Sequence, residues 1–192
     1  TGVLSSDVVL DFSMVVDALA CEAPGYYLEV TGVNEPFDAT TAPPGWTVID
    51  NLGNGQVWRF DNPAGRSNNT GGSGNFAIID SDWYGSGNNQ DTEMWTPVMD
   101  LTSLSAVLLE FDYDFFWYSG GLDETLDVDV SNDGGVTWTN VWTTSGGSSN
   151  GHVVVDITAL AAGQPDVVVS FHYYNAEWEF WWQVDNVFIG EK

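Results

Sequence analysis

The sequence predicts an all-β protein, an antiparallel jelly-roll β-sandwich with an additional pair of strands at its N-terminus. Short runs rich in Val, Ile, Phe, Tyr and Trp recur along the 192 residues, separated by turn-rich stretches of Gly, Asn and Ser. Several of these runs alternate apolar and polar residues with a period of two, as half-buried strands do. The sequence has no long amphipathic helix and no repeat of about 20–50 residues, which argues against a propeller or a solenoid.

The chain is predicted to divide into a β extension over residues 1–33 and the jelly-roll sandwich over residues 34–192. Within the extension, four apolar side chains take every second position and share one strand face: Leu10, Phe12, Met14 and Val16. A turn and a second strand over Tyr26–Val33 follow. Because an apolar strand face is an aggregation risk in water, the extension is expected to dock on a sheet. That sheet belongs either to its own chain or to a neighbour, which would be joined by β-augmentation.

The core strands of the main domain are predicted from their side-chain patterns. Val107–Trp117 places aromatic residues on one face and carboxylates on the other, and Leu126–Ser131 alternates Val with Asp. Val167–Tyr174 and Trp181–Ile189 complete the core. Ile157–Ala162 is expected to form one helical turn.

The charge of the chain excludes several classes of partner. Twenty-eight acidic residues oppose three basic ones, which gives a formal net charge of −25. Nucleic acid and anionic membranes are not expected partners, because both are bound through clustered Lys and Arg. No apolar run is long enough to insert in a membrane. The single cysteine, Cys21, is expected either to be buried as a small apolar residue or to pair with another chain.

One motif predicts a tight hairpin turn. Ser131–Trp138 fits the pattern S-x-D-x-G-x-T-W, known as the Asp box. Gly134 and Gly135 tolerate positive φ angles, Asp133 is expected to accept hydrogen bonds from the turn amides, and Trp138 is expected to pack beneath the turn. The motif indicates a structural element and not a binding site.

Carboxylates at predicted strand ends and in loops are candidate calcium ligands, because calcium takes six to eight oxygen ligands. A β-sandwich brings its first and last strands together, so acidic residues far apart in sequence can share one cation. Each of the following is either a ligand or an ordinary surface carboxylate: Asp38, Asp50, Asp80, Asp82 and Asp185.

Catalytic motifs have little support in the sequence. His152 and His172 stand in no zinc-binding spacing, and there is no G-x-S-x-G elbow. Glu177 and Glu179 are the best pair of carboxylates for a glycosidase, although they also suit a strand edge. Aromatic residues expected to face solvent would instead form a platform for stacking sugars: Trp83, Tyr84, Phe116, Tyr118 and Trp178.

A series of short motifs carries a resemblance to a known family. In chain order they are Phe37-Asp38, Gly45-Trp46 with Asp50, Trp58, Thr96-Pro97 with Asp100-Leu101, Ser131–Trp138, Asp156-Ile157-Thr158, Phe171 and Val184-Asp185-Asn186-Val187. In order and spacing they resemble the MAM-like jelly rolls of bacterial surface proteins. These include the cleaved-adhesin modules of gingipain-type proteases and the choice-of-anchor J domains. The resemblance implies an extracellular, non-catalytic sandwich with structural calcium, and it places the metal ligands at Asp38, Asp50 and Asp185.

The sequence therefore predicts a secreted, calcium-stabilised structural or adhesion protein without enzymatic activity. It is expected at the cell surface or in extracellular filaments, where residues 1–33 would join copies of the chain into oligomers. Glycans and other surface proteins are the remaining expected partners. A carbohydrate-binding module and a jelly-roll glycosidase are the alternative functions.

Overall fold

The computed structural model describes residues 31–121 and 123–192. Within these residues the chain forms ten strands and two single-turn helices. In chain order they are β1 (Val33–Glu35), β2 (Thr47–Asp50), β3 (Ala77–Asp80), α1 (Ser81–Tyr84), β4 (Asn89–Trp95), β5 (Leu108–Phe116), β6 (Thr125–Ser131), β7 (Thr139–Ser145), β8 (Ser149–Asp156), α2 (Thr158–Ala161), β9 (Val168–Glu177) and β10 (Trp181–Gly190). The predicted N-terminal strand residues Leu10, Phe12, Met14 and Val16 lie outside the described residues, as does Cys21.

The strands form two antiparallel sheets that enclose one hydrophobic core. Sheet A has the order β1-β10-β5-β8, and β3 also pairs with β10. Sheet B has the order β2-β4-β9-β6-β7. This arrangement confirms the predicted all-β sandwich. The first described strand lies beside the last, as predicted, with Val33 opposite Ile189 and Glu35 opposite Val187. Because β1 begins at Val33, the sandwich includes the last residue of the predicted extension.

The core is aromatic where the two sheets meet. Phe171 of β9 in sheet B meets Phe111 of β5 edge-on, with ring centroids 5.3 Å apart. It also meets Trp182 of β10 at 6.0 Å. All three side chains are fully buried. Such pairs contribute about 0.5–1.5 kcal/mol each beyond the burial of their surface. The alternation predicted for the segment around β5 is thus confirmed, with Phe111 and Phe115 buried in the core, whereas Phe116 at the end of the strand is 40% exposed.

The Asp-box turn at Ser131–Trp138 has the predicted geometry. Both oxygens of Asp133 accept hydrogen bonds: Oδ1 from the amides of Val136 and Thr137, at 3.1 and 2.9 Å, and Oδ2 from the Thr137 hydroxyl. These bonds, the Thr137 hydroxyl first, lower the pKa of Asp133. The two glycines of the motif have φ angles of +74° and +94°. The ring of its tryptophan lies 5.0 Å from that of Trp95, so the motif is a structural turn.

The helices are minor elements. The predicted helical turn over residues 157–162 is present as α2. Neither helix in the described part of the chain is long and apolar enough to span a bilayer.

Two features of sheet A position the candidate sites described below. First, β1 and β3 pair with the same edge of β10, because β5 occupies its other edge. Glu35 lies opposite Val187 and Ala77 opposite Val184, which leaves a notch between them. The pairing of β10 with β5 is irregular between Asp185 and Phe188, at the same level. The notch therefore opens beside Asp185.

Second, three connections between the sheets leave sheet A at the same end. Asp80 is the last residue of β3, Phe116 is the last of β5, and Trp181 is the first of β10. The register places Trp181 opposite both Asp80 and Phe116. The segments that follow β3 and β5 and that precede β10 therefore cross to sheet B side by side.

Candidate functional site

The first candidate site is the notch in sheet A, around Asp185. The Asp185 side chain is fully buried. Its Oδ2 accepts a hydrogen bond of 2.8 Å from the side-chain amide of Asn68, and its Oδ1 accepts one of 2.8 Å from the backbone N–H of Asn186. Burial nevertheless raises the pKa of Asp185 above its usual value. A nearby cation would favour the charged form of this carboxyl.

Two further carboxylates lie close to Asp185. Burial and then the charges of Asp38 and Asp185 raise the pKa of Glu35, although its Oε1 accepts a hydrogen bond from a backbone amide. A Cβ at Gly72 would overlap the Asp185 carboxylate, and one at Gly74 would overlap that of Asp38. The notch thus gathers Glu35, Asp38 and Asp185 around a glycine-containing loop. Within the described residues, no three His, Cys, Asp or Glu side chains already stand in a metal-binding arrangement.

The structure places the third predicted metal ligand elsewhere. Asp50 ends β2 in sheet B, the sheet opposite to the one that carries Asp185. Its two carboxylate oxygens accept the backbone N–H groups of Gly53 and Gly55, at 2.8 and 2.7 Å. These hydrogen bonds, that of Gly55 first, lower the pKa of Asp50. Asp50 therefore closes a turn, and the structure does not bring it together with Asp38.

The second candidate site lies at the end of the sandwich where the three connections cross. Aromatic side chains from these connections meet there, with Phe180 at the centre. Its ring centroid is 4.3 Å from that of Phe116, 5.8 Å from that of Tyr118 and 5.6 Å from that of Trp181. Phe116 and Tyr118 are 40% and 43% exposed, and nearby Trp178 is 53% exposed. We call this set the aromatic patch: Phe116, Tyr118, Trp178, Phe180 and Trp181.

A cavity of about 190 Å³ opens within the aromatic patch. It is lined by Asp82, Tyr118, Trp178, Glu179 and Phe180. Trp178 has a φ angle of +54°, in the left-handed region that costs a residue other than glycine about 1–3 kcal/mol. The connection between β9 and β10 therefore holds a large ring at the surface in a strained conformation.

The structure separates the five aromatic residues of the predicted sugar platform, of which Phe116 belongs to the aromatic patch. Tyr118 and Trp178 line the cavity, as a binding role requires. Trp83 is 42% exposed but is not among the lining residues. Tyr84 is half-buried, which corrects its expected exposure. Its hydroxyl donates a hydrogen bond to the carbonyl of Val57 at 2.8 Å and accepts one from the same residue's N–H, so the ring holds a loop.

Sequence reasoning missed two residues that line the cavity, Asp82 and Phe180. Residues 178–182 form a nearly continuous aromatic run, and no alternation in it distinguishes the exposed Trp178 from the fully buried Trp182. The sequence indicates Asp82 only as a candidate metal ligand. It is placed at the cavity because α1 follows directly on β3, and its N–H donates to the Phe180 carbonyl at 3.2 Å.

A buried pair of carboxyl groups lies beside the cavity. Glu124, on the connection after β5, has no exposed surface, and Glu179 is 1% exposed. Burial, and after it the charge of Glu179, raises the pKa of Glu124 to about 9. The N–H of Glu179 donates to the Ser81 hydroxyl at 3.0 Å, and this hydroxyl donates to Gln90 at 2.6 Å. The pair is thus fixed by elements of both sheets and holds at least one proton at neutral pH.

This placement corrects the carboxylate pair expected for a glycosidase. Glu177 is the last residue of β9 and accepts the N–H of Gly87 at 2.9 Å at the surface. Glu179 is buried beside Glu124. Glu177 and Glu179 therefore do not share one face, because the positive φ of Trp178 breaks the strand between them.

Comparison with solved structures identifies the fold. The K1 cleaved adhesin domain of Lys-gingipain from Porphyromonas gingivalis W83 is similar, with a TM-score of 0.62 and 20% identity. The match covers 84% of this chain and 99% of that domain. The K3 cleaved adhesin domain of the same protein gives a TM-score of 0.63 and 22% identity, over 82% and 96% of the two chains. This chain has the cleaved-adhesin jelly-roll fold. The predicted resemblance is thus confirmed for the fold.

One protein solved with a bound carbohydrate shares this fold. TmCBM61 in complex with β-1,4-galactotriose gives a TM-score of 0.54 and 11% identity, and the match covers 82% of this chain and 95% of that one. The sequence matches no protein-family model, and it matches no curated protein at a significant level.

The buried carboxyl pair predicts an unusual dependence of stability on pH. The pKa of Glu124 rises from 4.5 to about 9 on folding. Between these values the folded state keeps a proton that the unfolded state releases, so the free energy of unfolding falls as pH increases. Glu124→Gln, which is neutral at every pH, should make this decline shallower. Urea unfolding measured from about pH 5 to pH 9 tests the difference in slope.

Asp166→Asn is the matched control, because it removes one exposed carboxylate. It should leave the slope of the wild-type protein nearly unchanged. Equal slopes for Glu124→Gln and the wild-type protein would show that Glu124 is ionised in the folded state.

Proposed function

We propose that this chain is a non-catalytic adhesion domain of the cell surface or extracellular space, which binds a glycan through the aromatic patch. The observation that carries the proposal is the group of exposed rings, from the β5–β6 and β9–β10 connections, beside one cavity. Ligand sites are concave and lined by aromatic side chains with a few polar groups, as this cavity is. Contiguous exposed apolar surface of this kind marks a binding site on a folded domain.

Two kinds of protein with this fold support the proposal. Cleaved adhesin domains have this fold, and so does a protein bound to β-1,4-galactotriose. A non-catalytic role fits the separation of Glu177 from Glu179, because a glycosidase needs two carboxylates that flank one substrate bond. Adhesion to glycans therefore suits both the fold and the surface of this chain.

We further propose that calcium binds in the notch, with Glu35, Asp38 and Asp185 as ligands. Burial and mutual repulsion raise the pKa of Glu35, and burial raises that of Asp185, so both carboxyls would gain from a cation. The backbone at Gly72 and Gly74 lies so close to the carboxylates that a side chain there would fill the space. Backbone carbonyls of this loop would supply the remaining oxygen ligands.

Calcium should raise the midpoint of thermal unfolding. Binding to the folded state alone stabilises it by about 2.7 kcal/mol when free calcium is 100-fold above its dissociation constant. Scanning fluorimetry with calcium and with chelator, at fixed ionic strength, measures the shift. Asp185→Asn and Asp38→Asn should each abolish most of it.

Asp50→Asn is the control for this calcium experiment. It should lower the midpoint in both conditions, because Asp50 holds a turn, while the increment caused by calcium persists. If calcium leaves the midpoint of the wild-type protein unchanged, the calcium proposal is overturned. It is also overturned if calcium raises the midpoint of Asp185→Asn as much as that of the wild-type protein.

Glycan binding should depend on the exposed ring of Trp178. Trp178→Ala should weaken binding about tenfold, because ring contacts of this kind contribute on the order of 1 kcal/mol or more. Trp83→Ala removes an equally large exposed ring outside the cavity and should have no effect. A glycan array identifies ligands, and isothermal titration calorimetry measures their dissociation constants. Equal losses of glycan affinity in both variants would show that the glycan binds outside the cavity.

A second proposed function is self-assembly through residues 1–33. The apolar residues Leu10, Phe12, Met14 and Val16 would add strands to the sheet of a neighbouring chain. Among the described strands, β2, β7 and β8 each pair on one edge alone, which leaves edges for such addition. Assembly must overcome the repulsion of a net charge of −25 on each copy, so calcium or salt should strengthen it.

Deleting residues 1–30 tests this second function and spares β1, which begins at Val33. The shortened chain should remain a folded monomer, while the full chain forms oligomers in calcium. Analytical ultracentrifugation and circular dichroism measure the two outcomes. If the deletion unfolds the domain, or the full chain stays monomeric at high concentration, the segment completes its own sheet.

A further inference from the structure

The cavity in the aromatic patch combines ring faces with acidic groups. Tyr118, Trp178 and Phe180 supply the rings, and Asp82 and Glu179 supply the carboxyls. An aromatic ring presents negative charge on its face, so a cation within about 6 Å of its centre is attracted to it. Several ring faces with carboxylates nearby form the arrangement that recognises an organic ammonium group.

The charge around the cavity is negative. Arg66 is the basic residue found here, and it forms ion pairs with both Asp82 at 2.6 Å and Asp80 at 2.7 Å. One guanidinium thus faces two carboxylates. A ligand that enters the cavity therefore meets an excess of negative charge.

The other basic side chains of the described residues are held elsewhere. Arg59 pairs with Asp61 at 2.6 Å, and Lys192 pairs with Glu110 at 2.5 Å. Neither lines the cavity. With a net charge of −25, the whole chain also attracts cationic ligands and repels anionic polysaccharides.

We propose that this cavity binds the ammonium group of an amino sugar. The inference rests on the proposed glycan-binding function and specifies its ligand class. The ring surface continues outside the cavity. Phe116 is 40% exposed and lies 4.3 Å from Phe180 and 4.9 Å from Trp181. A sugar ring attached to the ammonium group covers this surface, whereas a lysine side chain or a free tetraalkylammonium ion leaves it bare.

The test compares oligosaccharides of glucosamine and of N-acetylglucosamine with the same length and linkage. The two differ at the nitrogen, which is cationic in the first at mildly acidic pH and neutral in the second. Calorimetric titration of the full chain at fixed ionic strength should show at least tenfold tighter binding of the glucosamine oligomer. Raising the salt concentration should weaken that binding and leave any binding of the acetylated oligomer unchanged.

Two substitutions test whether a carboxylate of the cavity recognises the ammonium group. Asp82→Asn keeps the shape of the cavity and removes a negative charge, so it should reduce the preference for glucosamine. Asp61→Asn is the matched control, because it also removes the carboxylate partner of an arginine but lies outside the cavity. Circular dichroism and thermal midpoints confirm that each variant is folded.

The outcomes distinguish this inference from the proposed function. Equal binding of both oligomers, lost in Trp178→Ala, would overturn ammonium recognition and leave glycan binding in place. Binding of choline or of a lysine-rich peptide without binding of either oligomer would overturn both the amino-sugar ligand and the glycan function. An unchanged preference in Asp82→Asn would place the selective site outside this cavity.

Discussion

The pairing of β10 with three other strands is the interaction on which the rest of the structure depends. Its inner face buries Trp182 in the aromatic core, where Trp182 meets Phe171 of sheet B and Trp58 of the segment before β3. Its outer face binds a long loop, since Gln183 donates to the Ser67 carbonyl at 2.9 Å and accepts the N–H of Asn69 at 3.0 Å. One strand thus fixes the core, the covering loop and both candidate sites.

Both sites arise where regular pairing stops. The notch beside Asp185 opens because β1 and β3 share one edge of β10 without meeting. The aromatic patch forms because three connections leave sheet A at one end, where Trp181 is opposite both Asp80 and Phe116. In each place buried carboxyls with raised pKa values accompany the break. Such groups reduce stability unless a proton or a cation neutralises them.

The sequence by itself determined the sheets and the local turns. Alternation of side chains shows which face of a strand is buried, so the inward rings of β5 and the aspartates of β6 were predictable. The Asp-box turn was predictable because Asp133 and its glycines act within eight residues. The position of Asp185 on a strand beside the first one followed from the general closure of a sandwich, in which first and last strands pair.

Only the tertiary structure decided which side chains meet across distant segments. The pairing of Glu124 with Glu179 joins two connections that share no sequence pattern, and its raised pKa results from burial by both sheets. Tyr84 and Trp178 are both aromatic residues in loops, yet a hydrogen-bonded loop covers the first and a positive φ exposes the second. Local sequence encodes strand periodicity, whereas burial and charge at a given atom depend on every segment that packs against it.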